Sequence, residues 1–175
     1  MAKTLTPAYQ ALIASKYWED TALADMNEAQ WEAICDGCAK CCLHKFIDDD
    51  DVDEVEFTEH VKVDGEEMHF TNIACQYLHT KTCGCSVYDK RTELVPQCVK
   101  LTQDNLPHIF YMPPSCSYRR LHEGKGLADW HPLLNKGKKT QMHTAGISVR
   151  GKTISELDAD MAHFEDYIVV WPLVE

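Results

Sequence analysis

The chain has 175 residues, of which 45% are hydrophobic and 26% charged, a composition typical of a globular domain. Its formal net charge of −11 at pH 7 argues against a dedicated nucleic-acid-binding protein. The N-terminus lacks the apolar run of a signal peptide, and no stretch is long enough to span a bilayer. We therefore expect a cytoplasmic protein without a membrane partner, in a compartment where structural disulfides are rare.

The N-terminal part contains two predicted helices. The first covers residues 6–18, with Pro7 in its first turn. The second begins after Asn27, which forms a capping box with Gln30. Apolar residues and cysteines then follow at the spacing of one helical face, namely Trp31, Ile34, Cys35 and Cys38, and Gly37 is the predicted stop. We expect residues 1–26 to form a helical arm and residues 27–175 a single cysteine-rich domain.

The cysteines are the main functional signal of the sequence. All nine lie within 82 positions, at Cys35, Cys38, Cys41, Cys42, Cys75, Cys83, Cys85, Cys98 and Cys116. A C-x2-C step allows two thiolates to reach one ion, and the step is repeated in the stretch CDGCAKCC at 35–42. The odd number leaves at least one cysteine unpaired in any disulfide scheme. The pattern therefore predicts metal binding by reduced thiols, with inert or merely reactive cysteines as the alternative.

The metal and the number of sites stay open at this stage. Three cysteines at this interval match both zinc sites and the first ligands of an iron–sulfur cluster, so the cofactor is zinc or iron, including an iron–sulfur cluster. Adjacent side chains project in different directions, so we expect Cys41 and Cys42 to serve different metals or different corners of one cluster. We infer more than one metal ion, or one cluster plus another site, with Cys75, Cys98 and Cys116 completing the coordination shells.

The rest of the chain is predicted to be irregular. Asp64-Gly65 predicts a hairpin with a strand on either side. From Asn72 to Cys116 the chain is rich in turns and shows no strong period, as expected of a region ordered by metal. Residues 115–122 predict one or two helical turns, and ISVRG at 147–151 predicts a short strand. Finally, Ser155 is predicted to cap a terminal helix that buries Leu157, Met161, Phe164 and Ile168 on one face and ends before Pro172.

Two histidines are alternative metal ligands. His44 follows Cys42 by two residues and His131 lies in a WHPL stretch, and either imidazole could complete a zinc shell. The simpler interpretation, which we favour for both, is a polar or half-buried histidine. The remaining histidines give weaker signals, at His60, His69, His79, His108, His122, His143 and His163. Cysteine–histidine nucleophilic catalysis is disfavoured because nine cysteines make any choice of nucleophile arbitrary.

Charge patterns offer further candidates with simple explanations. The run 48–51 lacks the glycine and the terminal glutamate of a calcium loop, so it predicts a solvated acidic face. The stretch GKGLADWHPLLNKGKKT fails the phosphate-loop template. The segment 119–152 has eight Lys/Arg against two acidic residues, which indicates a solvated face rather than a phosphate or RNA site. Tyr118 and Trp130 are predicted as core residues.

Several stretches resemble one bacterial family. They are CDGCAKCCLHK at 35–45, FTNIAC at 70–75, TCGC at 82–85, YDKR at 88–91, VPQCVKLT at 95–102, LP at 106–107, PPSCSYRRLHEGKGL at 113–127, WHPLL at 130–134 and ISVRG at 147–151. The chain resembles the YcgN-type proteins of the CxxCxxCC (YkgJ-like) zinc- or iron-chelating group, from about Met26 to Gly151. The resemblance implies that all nine cysteines match family positions, but it implies no reaction. Residues 55–69, around the predicted hairpin, look like an insertion relative to the family pattern.

The sequence thus predicts an α+β fold, a small irregular cysteine-rich domain stapled by metal, with flanking helices and a short hairpin. The predicted function is cytosolic metal binding by clustered thiolates. Two alternatives remain, an enzyme such as a cluster-bearing oxidoreductase or metal hydrolase, and an interaction module with metal as scaffold. Metal ions are the predicted partners, and the identity of any protein partner stays open.

Overall fold

The fold is α+β, and a computed structural model describes residues 6–47, 61–63 and 66–175. The α-helices are α1 (Pro7–Ser15), α2 (Glu28–Ile34), α3 (Arg91–Leu94), α4 (Ser117–His122) and α5 (Thr140–Thr144). The strands are β1 (Leu43–Ile47), β2 (Val61–Val63), β3 (Glu66–Ala74), β4 (Leu78–His79), β5 (Gly84–Cys85) and β6 (Ile154–Ser155). Short 3-10 helices connect these elements, at Tyr17–Glu19, Leu23–Asp25, Lys40–Cys42, Tyr88–Lys90, Leu106–His108, Pro132–Asn135, Met161–Tyr167 and Trp171–Leu173.

Strand β3 is the centre of the main sheet. It pairs antiparallel with β1 along one edge and with β2 along the other, and its last residues pair with β6 in parallel. Strands β4 and β5 form a separate antiparallel pair, with Leu78 opposite Cys85. Cys75 directly follows β3 and Cys42 directly precedes β1. The sheet therefore brings two cysteines that are distant in the sequence to the same end of a strand pair.

Both predicted N-terminal helices are confirmed. Thr6 caps α1, and its hydroxyl accepts a hydrogen bond from the Tyr9 N–H. Asn27 and Gln30 form the predicted capping box at the start of α2. Helix α2 ends at Ile34 with Cys35 as its C-cap residue, three residues before the predicted stop at Gly37, so Cys38 lies in the loop that follows. The chain leaves the helix at Cys35 because the carboxylate of Asp36, described below, accepts the hydrogen bond of the Cys38 backbone N–H.

The main core cluster packs α2 and the segment before it against later parts of the chain, including α4. Tyr17 and Met26 pack in it with Ile34, Leu106 and Tyr118. The Tyr118 hydroxyl donates to the Trp31 carbonyl at 2.9 Å. Trp130 packs against a smaller cluster, formed by Cys38, Met142 and Ile147. Tyr118 and Trp130 are thus core residues, as predicted, while the division of the chain at residue 26 stays a prediction.

The predicted hairpin has its two strands. Val63 pairs with Glu66 in an antiparallel register, which leaves two residues between β2 and β3. Those residues, Asp64 and Gly65, and the acidic run 48–51 lie outside the described residues. The single helix predicted between 115 and 122 is also confirmed, as α4.

The predictions for the C-terminal region are wrong. Residues 147–151 form turns, and the short strand is β6, which pairs with β3. No long terminal helix follows Ser155; instead a 3-10 helix begins after Asp160, whose carboxylate caps the Ala162 N–H. Leu157, predicted to be buried, is 72% exposed. The backbone bonds to β3 divert the chain from the helix that its apolar spacing indicated.

The helices are short throughout the described part of the chain. The longest there, α1, has nine residues. No helix among the described residues has the length and apolar character needed to cross a membrane.

Candidate metal centre

The loop 35–42 is shaped by a buried aspartate. Asp36 is 3% exposed, and its carboxylate oxygen Oδ1 accepts a hydrogen bond from the Cys38 N–H at 2.8 Å. The other oxygen, Oδ2, accepts from the Ser117 hydroxyl at 3.2 Å. A local side-chain bond of this kind competes with helix continuation, which explains the end of α2. Asp36 therefore both turns the loop and ties it to the start of α4, next to Cys116.

Two residues of the loop adopt the left-handed conformation. Gly37 has φ +70° and Ala39 has φ +66°. A Cβ at position 37 would lie 2.0 Å from the Lys139 ammonium nitrogen. Glycine therefore suits this position because it adopts a positive φ without strain and because it has no side chain to collide with Lys139. These two reversals fold the loop back on itself, so that Cys35, Cys38 and Cys41 face a common space.

Four cysteines line one small cavity. Three come from the loop, Cys35, Cys38 and Cys41, and the fourth is Cys116, just before α4. The cavity has a volume of about 50 Å³, and its other walls include Leu101, Met112, Pro113 and Tyr118. Cys38 is buried, whereas Cys35 and Cys41 are reached by solvent. We call Cys35, Cys38, Cys41 and Cys116 the first thiol group.

Backbone N–H groups point at the sulfur atoms of this group. Cys35 receives the N–H of Gly37, and Cys38 receives the N–H of Lys40, two residues further along the chain in each case. Cys116 receives the N–H groups of Tyr118 and Arg119, at the start of α4. Such bonds favour the thiolate, the form that binds metal.

Burial opposes ionisation when no metal is present. It raises the pKa of Cys116 to about 12 and that of Cys38 well above its usual range. Negative charge on Cys41 raises both values further, which shows that these thiols share one electrostatic environment. A cation in the cavity would offset both the burial and the negative charge on Cys41, because a nearby positive charge favours the thiolate form.

A second set of cysteines is linked by one backbone hydrogen bond and by mutual electrostatic influence. The Cys75 N–H donates to the Cys42 carbonyl at 3.0 Å. The contact with Cys41 and then burial raise the pKa of Cys42, and charges on Cys75 and Cys85 add to this. Burial raises the pKa of Cys98, the positive charge of Arg91 lowers it, and negative charge on Cys41, Cys85 and Cys75 raises it to a smaller extent. We call Cys42, Cys75, Cys85 and Cys98 the second thiol group.

Cys83 does not line the cavity of the first thiol group, and Cys42 of the second group packs against the same apolar cluster as Cys83. Cys83 is 5% exposed and packs with Ala39, Leu43, Leu78 and other residues of this cluster. Burial raises the pKa of its thiol, while a bond to the Ser148 side chain and the charges of Lys139 and Arg150 lower it. Cys83 also has φ +55°, so its conformation is imposed by the surrounding structure.

Within the described residues, no three Cys, His, Asp or Glu side chains converge closely enough to hold one metal ion. The thiols therefore lie in groups, but their sulfur atoms do not meet at one position where a single ion could bind. The chemistry of the first group nonetheless fits zinc or iron, since both metals take four thiolates in structural sites.

Comparison with known proteins places the chain in a family. A family model described as "Putative zinc- or iron-chelating domain", CxxCxxCC, matches residues 34–117, which contain all nine cysteines. A UPF0260 protein of Shewanella frigidimarina is 45% identical over 161 residues, covering 92% of this chain and 97% of that protein. The chain belongs to the UPF0260 family.

Other relatives have a similar coverage. A UPF0260 protein of Rhizobium etli is 42% identical over 157 residues, covering 90% of each chain. A UPF0260 protein of an Enterobacter species is 44% identical over 156 residues, covering 89% of this chain and 95% of that protein. No solved structure matches the chain.

The two histidine candidates of this UPF0260 chain have other partners. Both ring nitrogens of His131 are engaged, since Nδ1 accepts from the Leu133 N–H and Nε2 lies 3.0 Å from the Ile34 carbonyl. His131 is fully buried, which lowers its pKa. The His44 Nε2 contacts a carboxylate oxygen of Glu156, whose other oxygen accepts from the Gln76 N–H. Both histidines therefore match the simpler interpretation, as polar residues of the fold.

Sequence reasoning missed two residues of the site. Asp36 and Lys40 lie inside the CxxCxxCC stretch, yet their roles depend on partners far along the chain, at Ser117 and Ser115. An acidic and a basic residue between cysteines resemble ordinary loop residues. Only the burial of both side chains distinguishes them, and the sequence carried no signal for that burial.

Proposed function

We propose that this UPF0260 protein binds zinc or iron through two four-cysteine centres. The first would use Cys35, Cys38, Cys41 and Cys116, and the second Cys42, Cys75, Cys85 and Cys98. The observation that supports this most strongly is the shared cavity of the first thiol group, because its members come from segments more than 70 residues apart. Inert core cysteines have no reason to line one cavity in this way.

The surrounding residues prepare the first group for a cation. The loop conformation, the Asp36 bonds and the N–H groups that point at sulfur hold the thiols around the cavity. When bound, a zinc or iron ion would supply the positive charge that stabilises four thiolates. Because the four sulfur atoms do not meet at one point, binding would require the loop to move, which would couple binding to local folding.

The ninth cysteine is outside this proposal. Cys83 packs in an apolar cluster and has hydroxyl and backbone partners. We therefore assign it to the core, although the sequence pattern alone includes it among the ligands. His44 and His131 are likewise assigned to the fold, because their ring nitrogens contact Glu156, Ile34 and Leu133.

The test is the metal content of protein purified without oxygen, measured by elemental analysis together with the visible absorption spectrum. We expect metal in two centres, colourless if it is zinc and coloured if it is iron. Cys38→Ser should lose about half of this metal, because four-thiolate sites seldom survive with three ligands. His44→Ala should keep all of it. A folded protein without metal in either centre would refute the proposal.

A further inference from the structure

One hydrogen bond joins the two segments that carry the first thiol group. Lys40 precedes Cys41 in the chain, and Ser115 precedes Cys116. The Lys40 Nζ donates to the Ser115 hydroxyl at 2.7 Å, and both residues have 0% exposure. The bond spans 75 positions of the sequence, so it ties the loop 35–42 directly to the segment that holds its fourth thiol.

Residues 171–175 hold the same side chain of Lys40. The Pro172 carbonyl accepts from the Lys40 Nζ at 3.0 Å, and the Val174 carbonyl accepts from it at 3.2 Å. Together with the Ser115 hydroxyl they match the three donors of the side chain. Pro172 is itself fully buried. We call residues 171–175 the strap.

The strap is fastened at its first residue by an aromatic ring. Trp171 packs against the apolar cluster that includes Ala39 and Leu43, the two residues on either side of the 3-10 helix Lys40–Cys42. The Lys152 Nζ lies 4.4 Å from the centroid of the Trp171 ring. The strap therefore contacts the loop through a side chain as well as through its carbonyl groups.

The last residue of the strap reaches the helix that follows Cys116. A carboxylate oxygen of Glu175 lies 2.8 Å from the Lys125 Nζ, and the other lies 3.8 Å from a guanidinium nitrogen of Arg120, in α4. Partly exposed ion pairs of this kind contribute little to stability one by one. The ring of Trp171 and the two carbonyl bonds are therefore the main fastenings of the strap.

We propose that Lys40 and the strap form a clamp that slows the release of metal from the first centre. This inference rests on the proposed function. Release requires the ligand-bearing segments to separate, and the bond between Lys40 and Ser115 opposes that separation next to Cys41 and Cys116. The strap keeps the Lys40 side chain in place. Lys40 is thus a positioning residue, because it acts through the neighbouring cysteines and not on the metal itself.

Two variants loosen the clamp and leave every cysteine in place. Ser115→Ala removes one of the three acceptors, and Trp171→Ala removes the ring that fastens the strap. Each has a matched control. Ser148→Ala removes another buried serine hydroxyl, whose oxygen also has a hydrogen-bond partner 2.7 Å away. Trp18→Ala removes another half-buried ring, which packs against the main core cluster.

The first measurement is the rate at which zinc passes to an excess of a chromophoric chelator at pH 7. It is made in a Cys42→Ser background, to isolate the first centre, and in a Cys41→Ser background, to isolate the second. Both clamp variants should release zinc from the first centre about tenfold faster, as expected when a hydrogen bond to a charged group is lost. The controls should match the parent protein.

The second centre distinguishes a clamp from a general loss of stability. Release from that centre should keep the parent rate in Ser115→Ala and in Trp171→Ala, whereas a merely structural role would accelerate release from both centres. The inference is overturned if the clamp variants and their controls release zinc from the first centre at equal rates. It is also overturned if the clamp variants accelerate both centres equally.

The second measurement needs no variant, so it applies even if a variant fails to fold. If the strap strengthens the hold on the metal, bound metal must stabilise the strap by the same factor. Amide hydrogens in residues 168–175 should therefore exchange more slowly in zinc-loaded than in chelator-treated parent protein, while α1 (Pro7–Ser15) stays unchanged. Equal exchange of residues 168–175 in the two samples would refute the clamp alone. A parent protein that takes up neither zinc nor iron would refute the proposed function instead.

Discussion

The sulfur atoms of Cys41 and Cys42 lie 4.0 Å apart, although the two side chains belong to different thiol groups. Cys41 lines the cavity with Cys35, Cys38 and Cys116, whereas Cys42 responds to the charges of Cys75 and Cys85. The Cys42 thiol hydrogen bond to Cys41 lowers the pKa of Cys41 and raises that of Cys42. The sequence pattern predicts that these neighbours serve different metals or different corners of one cluster, and this stays a prediction that the next variants test.

Cys41→Ser and Cys42→Ser should each empty a different centre. Each variant should lose about half of the bound metal, because each removes one ligand from one four-thiolate shell. The double variant should lose nearly all of it. Elemental analysis of anaerobically purified protein measures this directly. If either single variant lost both centres, the division into two groups would be wrong.

Cys83→Ser should keep all of the metal. The side chain packs with Leu43, Leu78 and Val149, so the hydroxyl should cost about 1 kcal/mol of stability through burial of a polar group. Ser148 offers a hydrogen-bond partner that limits this cost. The check is metal content beside a denaturant unfolding curve. Loss of metal comparable to that in Cys41→Ser would make Cys83 a ligand after all.

Gly37→Ala should weaken metal binding as well as stability. Alanine at φ +70° costs about 1–2 kcal/mol, and the Lys139 side chain must also move away from the new methyl group. The change disturbs the loop whose N–H points at the Cys35 sulfur.

Gly124→Ala is the matched control, since φ is +72° there and open space surrounds the position. It should lose similar stability and keep the zinc affinity of the parent protein. Chelator competition measures both variants. If both lose zinc affinity equally, loop geometry is not the cause.

Local signals in the sequence predicted the parts of the fold that depend on neighbouring residues. The capping box of Asn27 and Gln30 and the pairing of Val63 with Glu66 are of this kind, since the signals for them lie within a few residues. The C-terminal helix prediction failed because backbone pairing between Ser155 and Ala74 outweighs helical spacing. Tertiary pairing of this kind leaves no local pattern.

The candidate site divides in the same way. The spacing of the cysteines is a local pattern, so the sequence alone predicts that the loop 35–42 binds metal. The partition into two thiol groups requires the positions of Cys75, Cys85, Cys98 and Cys116, which depend on the sheet and on α4. The burial of Lys40 depends on carbonyl groups up to 134 residues away. Neither property is encoded within any short window.

His131 should stay neutral and keep one tautomer whether or not metal is present. Nδ1 accepts from the Leu133 N–H, so the proton resides on Nε2, which donates to the Ile34 carbonyl. Nitrogen-15 imidazole signals should therefore show the Nε2-protonated form and should not shift when zinc is added. A large shift on zinc addition would make His131 a ligand.

The burial of His131 also predicts a pH dependence of stability. Burial lowers its pKa in the folded protein, so the unfolded chain binds more protons as the pH falls. The contribution of His131 to stability is thus complete above pH ~6.5, the ordinary value of histidine, and is lost progressively below it. His131→Asn, which keeps an acceptor for the Leu133 N–H and does not titrate, should flatten this dependence. Unfolding free energies from pH 8 to pH 5, with chelator present in every sample, test the difference between the two proteins; parallel curves would contradict the assignment.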